Sequence, residues 1–250
     1  MIANAVNLLE GIAWCLSEYV SMPLGQRIVG VAALSIAALA VYYLHSDDAR
    51  SRAKALQAVV TVLSGASISM GLTMGHQMPE MEFLLVWMPL AGWASVTLVY
   101  LFNKAIYLKA FKPVAFPPEL SRKALALGAE VGLAKPATVC VFDSGKIEAF
   151  SVAGRENLVF VSLGAMEALS QGELDAVLFH ELVHLKHEDS LYKLACTAGL
   201  FSVFAPFSLM LRRLAAAQQE MAANASTAAA YAQNLESAQK VFEQTSGGTD

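Results

Sequence analysis

Three stretches without a single charged side chain dominate the first 102 residues. Residues 28–44 run for 17 positions without charge, and residues 55–74 and 83–102 for 20 each. About 20 apolar residues are needed for a helix to cross the hydrocarbon of a bilayer. Inside lipid the backbone N–H and C=O groups must be satisfied within the segment, so such a run is restricted to a helix. The runs therefore predict three transmembrane helices, with Trp87, Trp93 and Tyr100 as interface anchors of the third. Only 15% of the 250 residues are charged, against about 25% in a soluble domain. Three such runs in succession argue against ordinary core helices. The first 22 residues are interrupted by Glu10 and Glu18. They read either as an interfacial amphipathic helix or as a fourth span. The first basic residue is Arg27, so a secretory signal peptide is not expected.

The loops set an orientation. Residues 45–54 carry Arg50, Arg52 and Lys54, and Lys104, Lys109 and Lys112 follow the third run. Residues 75–82 carry no basic residue but include Glu80 and Glu82. The positive-inside rule then places the basic flanks in the cytoplasm and the protein in the cytoplasmic (inner) membrane. A net charge of −4 gives no case for nucleic acid. Cys15, Cys140 and Cys196 show no CxxC spacing, so no disulfide framework is expected.

From about residue 113 the pattern changes to that of an α+β domain. Pro117-Pro118-Glu119 opens a helix that Gly132 and Pro136 close near residue 131. Residues 137–142, 147–152 and 158–162 read as strands separated by turns. Ser170-x-x-Glu173 is a capping box. Behind it runs a helix with Leu174, Val177, Leu178, Leu182 and Leu185 on its apolar side.

That helix carries His180-Glu181-Leu182-Val183-His184. Residues four apart share a helix face, so two imidazoles can reach one metal ion while Glu181 approaches a water on it. Zinc is the expected ion, peptide hydrolysis the expected chemistry, and Glu181 the expected general base. A catalytic zinc takes three protein ligands, and the candidates for the third are His187, Glu188, Asp189 and Glu220. His187 lies seven residues, about 10.5 Å along the axis, from His180, too far for all three imidazoles to close on one ion. Glu188 faces away, and Asp189 is placed to support His184. Glu220 leads on spacing, with Asn224 one turn later to orient a ligand His, but spacing alone leaves the choice open. Residues 191–211 are apolar apart from Lys193. Pro206 breaks them into pieces too short to cross, which predicts a membrane-associated hairpin that returns the chain to the cytoplasm.

The run SQGELDAVLFHELVHLKHED at 170–189 resembles the integral-membrane gluzincin proteases, as do IEAFSV at 147–152 and LVFVSLGAMEALS at 158–170. Two branches fit: the HtpX and CAAX prenyl protease branch, and the BlaR/MecR antirepressor branch. Both carry a Glu-x-x-small-Asp motif that supplies the third ligand, here Glu220 to Asn224. The resemblance thus implies His180, His184 and Glu220 as zinc ligands, with Asn224 in place of the Asp. Glu148 stands where the HtpX branch has Asn. The 36 residues from His184 to Glu220 favour the BlaR/MecR-like branch, since HtpX-type proteins place two full spans there. The resemblance also implies that residues 158–162 are the edge strand that pairs with an extended substrate.

The expected architecture is an α+β zincin-like protease domain on a multi-span helical membrane domain. Residues 1–112 form the membrane domain of three or four helices. Residues 113–244 form the metalloprotease domain, including the hairpin at 191–214, and 245–250 a tail. The expected function is a membrane-embedded zinc metalloendopeptidase that cleaves a protein substrate at the cytoplasmic face. The rival is a membrane signal transducer or scaffold with a vestigial metal site. The expected partners are a protein or peptide substrate and the bilayer, and a homo-oligomer is compatible with the sequence.

Overall fold

The computed structural model describes residues 2–74, 83–199 and 205–246. It divides into two compact units, Met1–Val96 with Lys193–Gln218, and Thr97–Tyr192 with Gln219–Asp250.

The first unit is helical. Helix α1 covers Ile2–Ser21, α2 Pro23–His45 and α3 Ala49–Met74. A π-helical turn at Phe83–Trp87 leads into α4, Met88–Phe111. Among the described residues, three helices are long and apolar enough to cross a membrane: Pro23–His45, Ala49–Thr73 and Leu85–Phe111. Each contains one of the three uncharged runs, or all but its end residues. The π turn has a local cause. Pro89 has no N–H, so the carbonyl of Leu85 four residues earlier loses its helical donor. The Ser67 hydroxyl of α3 donates to that carbonyl at 3.2 Å, and Leu85 is fully buried. Residues 193–218 join this unit through Cys196 and Leu211, which pack with Val59 and Val60 of α3. Helix α8 covers Asp189–Ala198 and α9 Ala205–Ser246. Pro206 is the second residue of α9, where its missing N–H is one of the free ones at a helix start. The turn of the expected hairpin, 200–204, lies outside the described residues, as do 75–82 with His76, Glu80 and Glu82.

The second unit holds the sheet. Helix α5 covers Pro118–Val131, and Gly132 closes it in the left-handed conformation at φ 80°. Strands β1 (Ala137–Phe142), β2 (Ala149–Val152) and β3 (Asn157–Ser162) lie in the order β1-β3-β2. β1 runs parallel to β3, with Val139 opposite Val159. β2 runs antiparallel to β3, with Phe150 opposite Phe160. The sequence-based expectation of an edge strand at 158–162 is therefore corrected. β3 is central, paired on both sides and buried along its whole length. Its near-continuous apolar run is the mark of a strand covered on both faces. The edge strand packed against the motif helix is β2. A short helix α6 (Leu163–Ala168) leads to α7, Gln171–Lys186. At its start Ser170 and Glu173 form the capping box in both directions. Leu174, Leu178 and Leu182 bury one side of α7 in the core with Val159, Val161 and Leu120.

Candidate metal centre

Helix α7 brings His180 and His184 together one turn apart, with their Nε2 atoms 3.1 Å from each other. Helix α9 brings in Glu220, whose Oε2 lies 3.6 Å from His180 Nε2 and 3.4 Å from His184 Nε2. Among the described residues these three form a group able to hold a metal ion.

Both rings are held by their other nitrogen. Asp189 Oδ2 lies 2.7 Å from His184 Nδ1, with both residues buried. A carboxylate accepts only, so the Nδ1–H donates and Nε2 carries a lone pair when the ring is neutral. Glu188 delivers Asp189 to this position. Its left-handed φ of 55° ends α7 sharply and starts α8 on Asp189. At His180 the counterpart is Thr227, fully buried on α9. Its hydroxyl donates to Ala223 O at 2.9 Å. The oxygen therefore faces His180 Nδ1, 3.5 Å away, as an acceptor. Both imidazoles thus turn Nε2 toward Glu220.

The donor set fits a tetrahedral ion. Bonds of about 2.0–2.1 Å place two ligands roughly 3.3–3.4 Å apart. The three observed separations, 3.1, 3.4 and 3.6 Å, bracket that value. Without a metal, two lone pairs at 3.1 Å repel, and a proton between them relieves the repulsion. Burial by itself lowers the His184 pKa. The hydrogen bonds to Asp189 and Glu220 and the nearby Glu181 charge outweigh it and push the imidazole up to about 9.

Glu181 is buried on α7 and faces a cavity of about 240 Å³ together with His180, Glu220 and Asn224. Asn224 forms part of the cavity wall. His187 caps the end of α7, and Glu188 is exposed. Thr227 is the residue that the sequence reading passed over. It lies seven residues, two helical turns, after Glu220 and hence on the same face. That periodicity is its only signal in the sequence.

The model of Peptidase family M48 matches residues 117–245, just over half of the chain and all of the residues above. The chain belongs to this family. Similar proteins include the protease HtpX of Xylella fastidiosa (strain 9a5c), 32% identical over 154 residues, 58% of this chain and 52% of that protein. The protease HtpX of Histophilus somni (strain 2336) is 28% identical over 156 residues, 58% of this chain and 54% of that protein. A protease HtpX homolog of Thermodesulfovibrio yellowstonii is 35% identical over 120 residues, 44% of this chain and 42% of that protein. The chain spans about half the length of the curated relatives it matches. The resemblance to membrane gluzincins holds, and of its two branches these relatives support the HtpX one. With three span-length apolar helices, this M48 member is a membrane protein.

Proposed function

We propose that the chain is a membrane-embedded zinc metalloendopeptidase that cleaves a protein substrate at the cytoplasmic face of the inner membrane. The observation that carries this reading is the convergence of His180 Nε2, His184 Nε2 and Glu220 Oε2 beside the buried Glu181. His180, His184 and Glu220 would hold the ion. When bound, zinc supplies Lewis acidity to the scissile carbonyl and to the attacking water. Glu181 accepts the proton of that water and passes it to the departing amine. Asp189 and Thr227 hold the Nδ1 side of the two rings and so aim both Nε2 atoms at the ion. The outer edge of β2 pairs with an extended substrate backbone, and Ala149 at its start lines the cavity beside Glu181. The cytoplasmic orientation is supported by the basic residues that flank the second and third spans, Arg50, Arg52, Lys104 and Lys109.

The test uses the full chain in detergent. About one zinc should bind per chain. Glu181→Gln should retain it and lose peptide hydrolysis by at least about a hundredfold. If Glu181→Gln matches the parent in peptide hydrolysis and in a cellular substrate assay, the transducer reading replaces this one.

A further inference from the structure

The last helix brings two distant parts of itself to one cavity. Glu220 and Phe242 both line the 240 Å³ space beside Glu181. They are 22 residues apart, about 33 Å along a straight helix, several times the width of that cavity. The break at Tyr231, with φ −138° and ψ 39°, makes this possible. Residues 232–246 thus form an arm separate from the part of α9 that carries Glu220 and Thr227.

The arm is docked. The Tyr231 ring packs on Phe179 of α7 with centroids 5.2 Å apart. Gly172 in the first turn of α7 has no side chain, and a Cβ there would lie only 3.0 Å from the Asn234 amide. Leu235 and Ala238 are buried, and Val241 and Phe242 pack against the core.

The chemistry of this wall is specific. Leu235, Ala238 and Phe242 of the arm face the cavity, with Val177 of α7 and Ala149 of β2. Gln239 is the arm's polar group there. Pockets for whole small molecules hold about 300–1,000 Å³, so this space suits one or two side chains. His180, Glu181, Glu220 and Asn224 line the opposite, polar side, and a charged group pressed past them against the apolar wall would lose its hydration. We propose that the cavity is a subsite for one uncharged apolar side chain of the substrate next to the cleaved bond. The arm, through Ala238 and Phe242, sets its depth. This rests on the peptidase reading above.

Equilibrium binding to the zinc-loaded full chain carrying Glu181→Gln separates the two claims. The probes are acetylated, amidated Gly/Ser hexapeptides with one residue varied among Ala, Leu, Phe and Asp. Leu and Phe should bind at least about tenfold tighter than Ala or Asp. Adding Ala238→Leu should shift the Phe-to-Ala affinity ratio about tenfold toward Ala, and adding Phe242→Ala should shift it toward Phe. Equal ratios in folded, zinc-retaining variants overturn the proposal, as does an absence of binding to the Glu181→Gln chain. A photo-leucine at the varied position needs no arm substitution. Its cross-links should map to residues 235–242, and cross-links confined elsewhere also overturn the proposal. Apolar-selective binding without hydrolysis by the parent would remove the peptidase reading and leave the subsite. Hydrolysis without that selectivity would do the reverse.

Discussion

Replacing Asp189 by Asn should change how zinc affinity depends on pH more than it changes the affinity at neutrality. The side chain keeps an oxygen to accept the His184 Nδ1–H, so the tautomer survives. Its charge is lost, and with it the main influence that raises His184 to about 9. In the parent at pH 7, zinc must displace a proton whose midpoint lies about two pH units higher. That costs about 3 kcal/mol, roughly a hundredfold in affinity. In Asp189→Asn the pKa falls back toward the ordinary imidazole range and most of this competition disappears. Against it stands the weaker ligand, since replacing the charged outer partner of a ligand His lowers its basicity and the metal affinity, by about 10–100-fold. At pH 7 the two effects nearly cancel. At pH 9.5 only the second remains. Zinc competition with a chelator of known affinity, run from pH 6.5 to 9.5, reads both. The parent should gain about one decade of affinity per pH unit up to pH 9, and the variant should be nearly flat above pH 7. Parallel curves would refute the assignment of the raised pKa to the Asp189 contact.

The metal-free protein should lose stability as pH rises. His184 is raised from 6.5 to about 9 in the fold, so its contribution is full below pH 6.5 and gone above 9. The loss is about 3 kcal/mol, read as a falling Tm of the zinc-stripped parent, and a Tm that rises across this window contradicts it. Thr227→Val leaves Nδ1 of His180 without an acceptor and should weaken zinc about tenfold, whereas Thr227→Ser should restore most of it. Equal affinities for the three proteins would show that the 3.5 Å contact does not act on the ring. Ser170→Ala removes the cap of α7 and should cost about 1 kcal/mol in chemical unfolding, with metal content unchanged.

Much of this was legible in the sequence because it is local. The uncharged runs, the bounds of β1 and the capping box at Ser170 depend on residues within a few positions of each other. So does the pairing of His180 with His184. What the sequence hid is set by long-range contact. Residues 158–162 carry an apolar run that is compatible with an edge or a centre. Only the pairing of β3 with both β1 and β2 decides it. Thr227 is one of several small polar residues on α9 until the fold sets it 3.5 Å from His180. The break at Tyr231 has no proline or glycine beside it, and it follows from the docking of the arm on α7. Helix α4 continues to Phe111 past the expected limit of the third run, with non-helical dihedrals at Phe102. There Asn103 leaves the apolar pattern and donates to Glu156 O at 2.6 Å.

An unpaired strand edge is a template that any extended chain can join, another copy of the same protein included. The outer edge of β1 is partly covered, because Ala115 bridges Val141. Among the described residues, no strand pairs with the outer edge of β2. Its four residues are fewer than the usual five or six of a strand and offer few ladder bonds to an intruder. Edge-to-edge association of two copies gains only those bonds and stays weak. A peptide that also reaches Glu181 and the cavity gains contacts that a second copy of the sheet cannot make. On the proposed peptidase reading, in which this edge takes the substrate, the shortness of β2 is thus a filter against aggregation at an edge left open.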